Sequence, residues 1–267
     1  MTEEAIRMRT RFCIDAAREA ARRTLSLFNN NALRIETKRD GTPVTDADRD
    51  CELALRRMIE ASFPDDAILG EEMPEKPGIT GYRWIIDPID GTKSFVHGVP
   101  LYGTLLAAQL EDESIAGAIV MPALDEYVYA GRGQGAWHGL GEHRPEPARV
   151  SEIDALRDSC VCTTSLALMQ RKGMGGLFDS LADRCGLFRG WGDCYAHLLV
   201  ATGRAEAAVE PEISLWDVAP MPVIMREAGG EYSDWNGVCD TDSPHGVSSN
   251  GRVHAELLEM LKPALQG

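Results

Sequence analysis

Apolar residues recur at helical spacing from Glu3 to Phe28, where Ile6, Cys13, Ala17, Ala20 and Leu27 share a face and arginines fill much of the other. That pattern predicts a long amphipathic helix. The period breaks between Ile35 and Asp48, where charged residues and then Gly41, Thr42 and Pro43 mark a loop. A second helix is predicted to begin near Asp46 to Asp48, because Cys51, Leu55, Met58 and Ile59 fall on one face and Pro64 closes the run. Both aspartates then sit at its N-terminal end, where negative charge is favoured.

The period then shortens. Ala67-Ile68-Leu69 leads into Gly70-Glu71-Glu72, and Tyr82-Arg83-Trp84-Ile85-Ile86 leads into Asp87-Pro88, so each reads as a strand ending in carboxylates. From Tyr102 to Trp137, short β-rich runs are divided by polar turns, the pattern of an antiparallel meander. The polar, proline-containing stretch 139–152 marks a boundary between an N-terminal α+β half, 1–140, and a C-terminal half, 141–267. In the second half, strands at Cys160 to Thr164, Leu187 to Gly190 and Ala205 to Glu210 alternate with helices around Leu166, Leu198 and Val223, which predicts an α/β layer.

Composition narrows the function classes. The 267 residues include 27 Lys+Arg against 42 Asp+Glu, a formal charge of −15, and no basic tract of the kind that tracks nucleic-acid phosphates. No apolar run approaches the ~20 residues of a bilayer span, and the acidic start MTEEAIRMRT has no signal-peptide pattern, so a cytoplasmic protein is expected. Seven cysteines, an odd number scattered through the chain, read as reduced thiols, and Cys160 and Cys162 lack the second ligand pair a zinc site needs.

The chemistry concentrates in Trp84-Ile85-Ile86-Asp87-Pro88-Ile89-Asp90-Gly91-Thr92, which puts two carboxylates three residues apart after an apolar strand. Pro88 stiffens the turn and Gly91 permits a backbone conformation that a side chain resists, so the carboxylates can converge. Convergent carboxylates need a cation, and hard oxygen ligands beside a phosphate suit Mg²⁺. The helix opening at Thr92 can receive an anion. A D-P-x-D segment can equally cap a turn, and Asp217 can equally be a helix cap before Gly229-Gly230. Carboxylates at the ends of several elements, Asp48, Glu71, Glu72 and Asp217, weigh towards a shared site.

Three blocks, GEE at 70–72, DPIDGTKSFVHGVP at 87–100 and WDVAPMPVIMREAGG at 216–230, together with VTDAD at 44–48, resemble the inositol monophosphatase-like, Mg²⁺-dependent phosphatases over nearly the whole chain. The resemblance implies a fold of the α+β / α/β type, a layered αβαβα sandwich of the sugar-phosphatase type. It also implies two to three Mg²⁺ ions: Glu71, Asp87 and the Ile89 carbonyl on one, Asp87, Asp90 and Asp217 on a second, and Glu71 with Asp48 around a weaker third. Thr92, helped by Asp48, is then expected to orient a metal-activated water for in-line attack, with the Gly91 and Thr92 amides holding the phosphate. Pro220 and Pro222 depart from the small residues common in the family and are expected to disturb the local helix more than the Asp217 ligand.

The stretch Arg189 to Leu199 contains Gly192-Asp193-Cys194-Tyr195, which resembles the histidinol-phosphate phosphatase branch. That implies hydrolysis of L-histidinol phosphate in histidine biosynthesis by a homodimer acting on a small phosphate monoester, with neither nucleic acid nor membrane as partner. Arg189, Asp193 and Glu210 are the candidate substrate contacts, the two carboxylates meeting the substrate's cationic groups; as alternatives, Asp193 caps a helix and Glu210 faces solvent. A polyol phosphatase is the nearest rival. An acidic interaction module with a structural ion is disfavoured by the intact set Glu71, Asp87, Asp90, Thr92 and Asp217.

Overall fold

The first predicted helix, α1 (Glu3–Thr24), buries Ile6, Cys13, Ala17 and Ala20 as expected, with Thr2 accepting from the Ala5 amide at its start. It stops short of Phe28 because the chain turns to bring Phe28 against Phe95 and Tyr102, with ring centroids 5.6 and 5.0 Å away. The computed structural model describes residues 2–30, 33–38 and 41–265. After α1 come a hairpin, β1 (Ile35–Thr37) and β2 (Pro43–Thr45), and then α2 (Asp46–Ser62).

The meander is part of a seven-stranded sheet built from β3 (Ala67–Gly70), β4 (Tyr82–Asp90), β5 (Gly103–Leu110), β6 (Glu113–Met121), β7 (Glu126–Gly131), β8 (Ala136–Leu140) and β9 (Glu146–Pro147), adjacent in that order. Only the β3–β4 pair is parallel. A short helix, α3 (Thr92–Val96), leaves the end of β4.

The second sheet comprises β10 (Cys160–Cys162), β11 (Leu187–Arg189), β12 (Ala207–Glu210), β13 (Glu231–Ser233) and β14 (Gly246–Ser249), in the order β11-β10-β12-β14-β13. Between these strands lie α4 (Leu166–Arg171), α5 (Gly175–Arg184), α6 (Asp193–Ala201), α7 (Leu215–Val218) and α8 (Met221–Ala228), and α9 (His254–Leu261) follows the last strand. Strands β11, β10 and β12 are parallel, which fits the predicted strand–helix alternation.

Three cores stack these elements into five layers. Helices α1 and α2 cover one face of the large sheet through Cys13, Ala17, Leu55, Trp84 and Leu106. Its other face meets α6, α8 and the small sheet through Leu105, Ile119, Leu198, Ile224 and Ala208. Leu181 of α5 and Leu257 of α9 close the far side of the small sheet against Val161 and Val209. Alternate residues of each strand point to opposite faces, so Ala208 enters the central core while Ala207 and Val209 enter the outer one. The expected αβαβα sandwich is the observed one. Among the described residues, no helix is long and apolar enough to cross a membrane.

Pro220 and Pro222 act locally, as expected. The run that begins with Asp217 divides into α7 and α8 at Ala219–Pro220, with Pro222 in the first turn of α8, where a missing N–H costs nothing. Gly229 ends α8 in the left-handed conformation, φ 90°.

Candidate active site

Strand β4 is buried through Trp84, Ile85 and Ile86, so its C-terminal end is rigidly placed. Asp87 still pairs with Leu105, but the register shifts before Asp90 pairs with Gly103, a bulge that leaves Pro88 and Ile89 out of the pairing. The Thr104 hydroxyl fixes that bulge by donating to the Pro88 carbonyl at 2.8 Å. Gly91 follows with φ 81°, and a Cβ there would stand 3.0 Å from the Leu101 carbonyl oxygen and 3.1 Å from Asp193 Oδ2. Glycine is thus needed for both the turn and the space.

One carboxylate oxygen each from Asp87, Asp90 and Asp217 lies within 4.8 Å of the others. Asp217 reaches the cluster as the third residue of α7, where its Oδ2 accepts the Ser214 amide at 2.7 Å. Asp48 repeats the device in α2: its Oδ2 accepts from the Thr45 amide at 2.8 Å and the Thr45 hydroxyl at 2.6 Å. Each aspartate therefore closes a capping box with one oxygen, so capping and site membership are not alternatives. Asp48 Oδ1 and Asp87 Oδ1 are buried without a hydrogen-bond partner.

Burial, with Glu71, Asp90 and Asp217 nearby, raises the Asp87 carboxyl well above its ordinary range. Burial with Asp193 and Asp217 does the same for Asp90. Burial pushes Asp48 up to about 7 against its Thr45 hydrogen bonds, and Asp217 up to about 6. So many crowded carboxyls cannot all ionise without a compensating cation. An all-oxygen donor set with two orphaned buried oxygens fits a hard divalent ion such as Mg²⁺.

Glu71 stands just beyond β3, its amide donating to the Ile86 carbonyl at 3.2 Å. Lys38, from the β1–β2 hairpin, donates to Glu71 Oε1 at 2.6 Å and Glu72 Oε1 at 2.5 Å. Burial disfavours its ammonium, but the hydrogen bonds and charges of the two glutamates win and raise its pKa. A cation thus already occupies part of the place expected for a third metal. Thr92 donates to the Ile89 carbonyl at 3.0 Å and shares no hydrogen bond with Asp48.

The three candidate substrate contacts fall differently. Asp193 begins α6 with φ 52°, makes no side-chain cap, and holds Oδ2 beside Gly91. Burial pushes its carboxyl up to about 6, partly opposed by Lys93. The backbone amide of the next residue, Cys194, donates to Asp90 Oδ2, tying α6 to the cluster. Glu210, the last residue of β12, is buried rather than facing solvent; its Oε2 accepts the Thr164 amide at 3.3 Å while Oε1 has no partner. Burial holds it well above the usual carboxylate range. Arg189 is exposed, and its Nη1 donates to the neighbouring Phe188 carbonyl at 2.8 Å, so the structure does not bring its guanidinium to the cluster.

Two residues the sequence did not single out support the site. Lys38 is one; Glu52 is the other, fully buried in α2, accepting from the Glu72 amide at 2.7 Å and from Arg56 Nε at 2.8 Å. In sequence, Glu52 and Arg56 look like an ordinary surface pair at i, i+4.

A hard-ion carboxylate cluster beside a glycine turn and a helix start, in a five-layered α/β sandwich, is the arrangement of a metal-dependent phosphate-ester hydrolase. Residues 6–266 match the model of the inositol monophosphatase family, and the chain belongs to that family. It is similar to the histidinol-phosphatase of Chlorobaculum parvum, at 44% identity over 92% of this chain and 93% of that protein. It is also similar to the histidinol-phosphatase of Mycobacterium tuberculosis, at 39% identity over 86% of this chain and 88% of that one. Among solved structures it resembles the Thermotoga maritima IMPase, with a TM-score of 0.86, 29% identity, and coverage of 97% and 98% of the two chains.

Proposed function

We propose that the protein is a Mg²⁺-dependent phosphomonoesterase that hydrolyses L-histidinol phosphate to L-histidinol and phosphate, a step of histidine biosynthesis. The observation that carries the reading is the convergence of Asp87, Asp90 and Asp217 within 4.8 Å, with the unpartnered Glu210 Oε1 as a second acidic element. The names of the similar histidinol-phosphatases support the choice of substrate.

In this reading Glu71, Asp87 and the Ile89 carbonyl would hold one ion, and Asp87, Asp90 and Asp217 a second. Glu71 and Asp48 would surround a third, beside the Lys38 ammonium that now pairs with Glu71. Bound Mg²⁺ supplies Lewis acidity, polarising the phosphate and lowering the pKa of a nearby water. The Gly91 and Thr92 amides hold the phosphate at the start of α3, where backbone N–H groups lack intrahelical acceptors. Thr92 and Asp48 would orient the water for in-line attack and Asp48, with one free oxygen, would take its proton, while the bond from phosphorus to the histidinol oxygen breaks and that oxygen leaves as the alcohol by taking a proton from solvent water. Asp193 and Glu210 face the leaving group, where carboxylates pair with an ammonium and an imidazole through charge-assisted hydrogen bonds. Arg189 joins the substrate only by leaving the Phe188 carbonyl. The same reading expects a cytoplasmic enzyme that is a homodimer, and light scattering on the eluting protein checks the oligomeric state.

Steady-state kinetics of Asp193→Asn and Glu210→Gln test the substrate assignment. KM for histidinol phosphate is expected to rise at least about tenfold in each, the loss of one charge-assisted contact, while turnover of inositol 1-phosphate stays the same. Unchanged KM for histidinol phosphate in both variants overturns the amine-recognition argument.

A further inference from the structure

A groove of about 500 Å³ runs between the N-terminal half of α1 and strands β7 and β8. It lies at the opposite end of the sheet order from β3, three strands from the aspartate-bearing β4, or about 14 Å at ~4.8 Å per strand. None of the carboxylates of the acidic cluster lines it.

Its floor is aromatic. Tyr127 and Tyr129 share a face of β7, their rings stacked at 6.3 Å, and Trp137 on β8 pairs in register with Tyr129. Tyr127 is covered by the Arg18 guanidinium 4.4 Å above its ring, whereas Tyr129 and Trp137 remain half-buried and open to the groove.

The rim is basic in a chain whose net charge is −15. Arg11 is paired with Asp15 at 3.4 Å and Arg18 with Glu142 at 3.8 Å. Arg7 and Arg144, also at the rim, make no hydrogen bond or ion pair among the described residues. The Gln134 Nε2 amide, which also lines the groove, is buried without an acceptor. Two unpaired guanidinium groups and an unsatisfied buried donor above an aromatic floor are complementary to a flat ring bearing a dianion. The volume suits a ligand of nucleotide size.

We propose that this groove is a second ligand site, separate from the acidic cluster, for a ring phosphate of nucleotide size. The ring stacks on Tyr129 and Trp137, and the phosphate meets Arg7 and Arg144. The site stands on its own geometry and does not depend on which phosphate ester the enzyme hydrolyses.

Isothermal titration calorimetry of the full chain with AMP tests it, in the presence of EDTA so that the acidic cluster, without its cations, repels anions. Saturable binding of AMP is expected, weakened at least tenfold in the Arg7→Ala/Arg144→Ala double variant. Adenosine and inorganic phosphate, each carrying half of the recognition, are expected to bind at least tenfold more weakly than AMP. Both arginines are exposed and unpartnered, so the variant folds, and its unchanged melting temperature verifies this. No saturable AMP binding, AMP binding that survives the double substitution, or phosphate alone binding as tightly as AMP each overturns the proposal.

Discussion

Glu52 fills the space that a side chain at Gly70 would need: a Cβ built there would lie 2.2 Å from Glu52 Oε1. The same carboxylate accepts the Glu72 amide through Oε2, so Glu52 holds the turn that presents Glu71. A methyl at residue 70 has to displace a buried, doubly bonded carboxylate. Gly70→Ala is therefore expected to cost about 1–3 kcal/mol, the range for overpacking a filled core. It should also raise the Mg²⁺ concentration needed for half-maximal activity. Urea unfolding and a Mg²⁺ titration of activity check the two effects.

Asp90 sits in a crowd of like charges that a cation relieves. Asp90→Asn removes one of them, so the metal-free variant is expected to be at least as stable as the metal-free wild type. Mg²⁺ should raise the wild-type melting temperature by binding the folded state and raise the variant's by less. Phosphate release is expected to fall by at least about a hundredfold, because the charge compensation at the transition state is lost. Differential scanning calorimetry with and without Mg²⁺ separates this from general unfolding.

Lys38 holds the Glu71 carboxylate that is proposed to take part in a third ion site. Lys38→Met removes a positive charge that sits 2.6 Å from Glu71 Oε1 and 2.5 Å from Glu72 Oε1 and would repel an incoming cation. The half-saturating Mg²⁺ concentration of the variant is expected to drop at least about fivefold, read from activity against Mg²⁺. An unchanged Mg²⁺ profile would mean that Glu71 takes no additional ion.

His197 gives the fold a pH limit. It is buried, with Nδ1 2.7 Å from Ser248 Oγ, and burial lowers its pKa to about 4. The unfolded chain binds this proton near pH 6.5, so stability is full above that pH and falls as pH drops from about 6.5 towards 4. The loss amounts to about 3 kcal/mol at the lower end. Urea midpoints at pH 7 and pH 4.5 measure it, and His197→Asn should flatten this part of the profile.

The order of elements and two carboxylates of the acidic cluster, Asp87 and Asp90, are visible in the sequence, because the strand ending in Asp87-Pro88-Ile89-Asp90 carries them in contiguous residues. The end of α1 was less visible, since Leu27 keeps the helical spacing even though the chain has turned to pack Phe28 on Tyr102. Lys38 and Glu52 were not visible at all. Each meets its partner 20 or more residues away, across 33 residues for Lys38 and Glu71 and 20 for Glu52 and Glu72, and no local pattern encodes such a contact. For Asp217 the sequence leaves a helix cap and a site residue as alternatives, whereas in the fold one of its oxygens accepts the Ser214 amide and the side chain still lies in the acidic cluster.

The most direct measurement is phosphate release from L-histidinol phosphate and from inositol 1-phosphate in parallel, each with Mg²⁺ and with excess chelator. A strong preference in kcat/KM for histidinol phosphate, abolished by the chelator, is expected. A preference for inositol 1-phosphate, or release that the chelator leaves untouched, would contradict it.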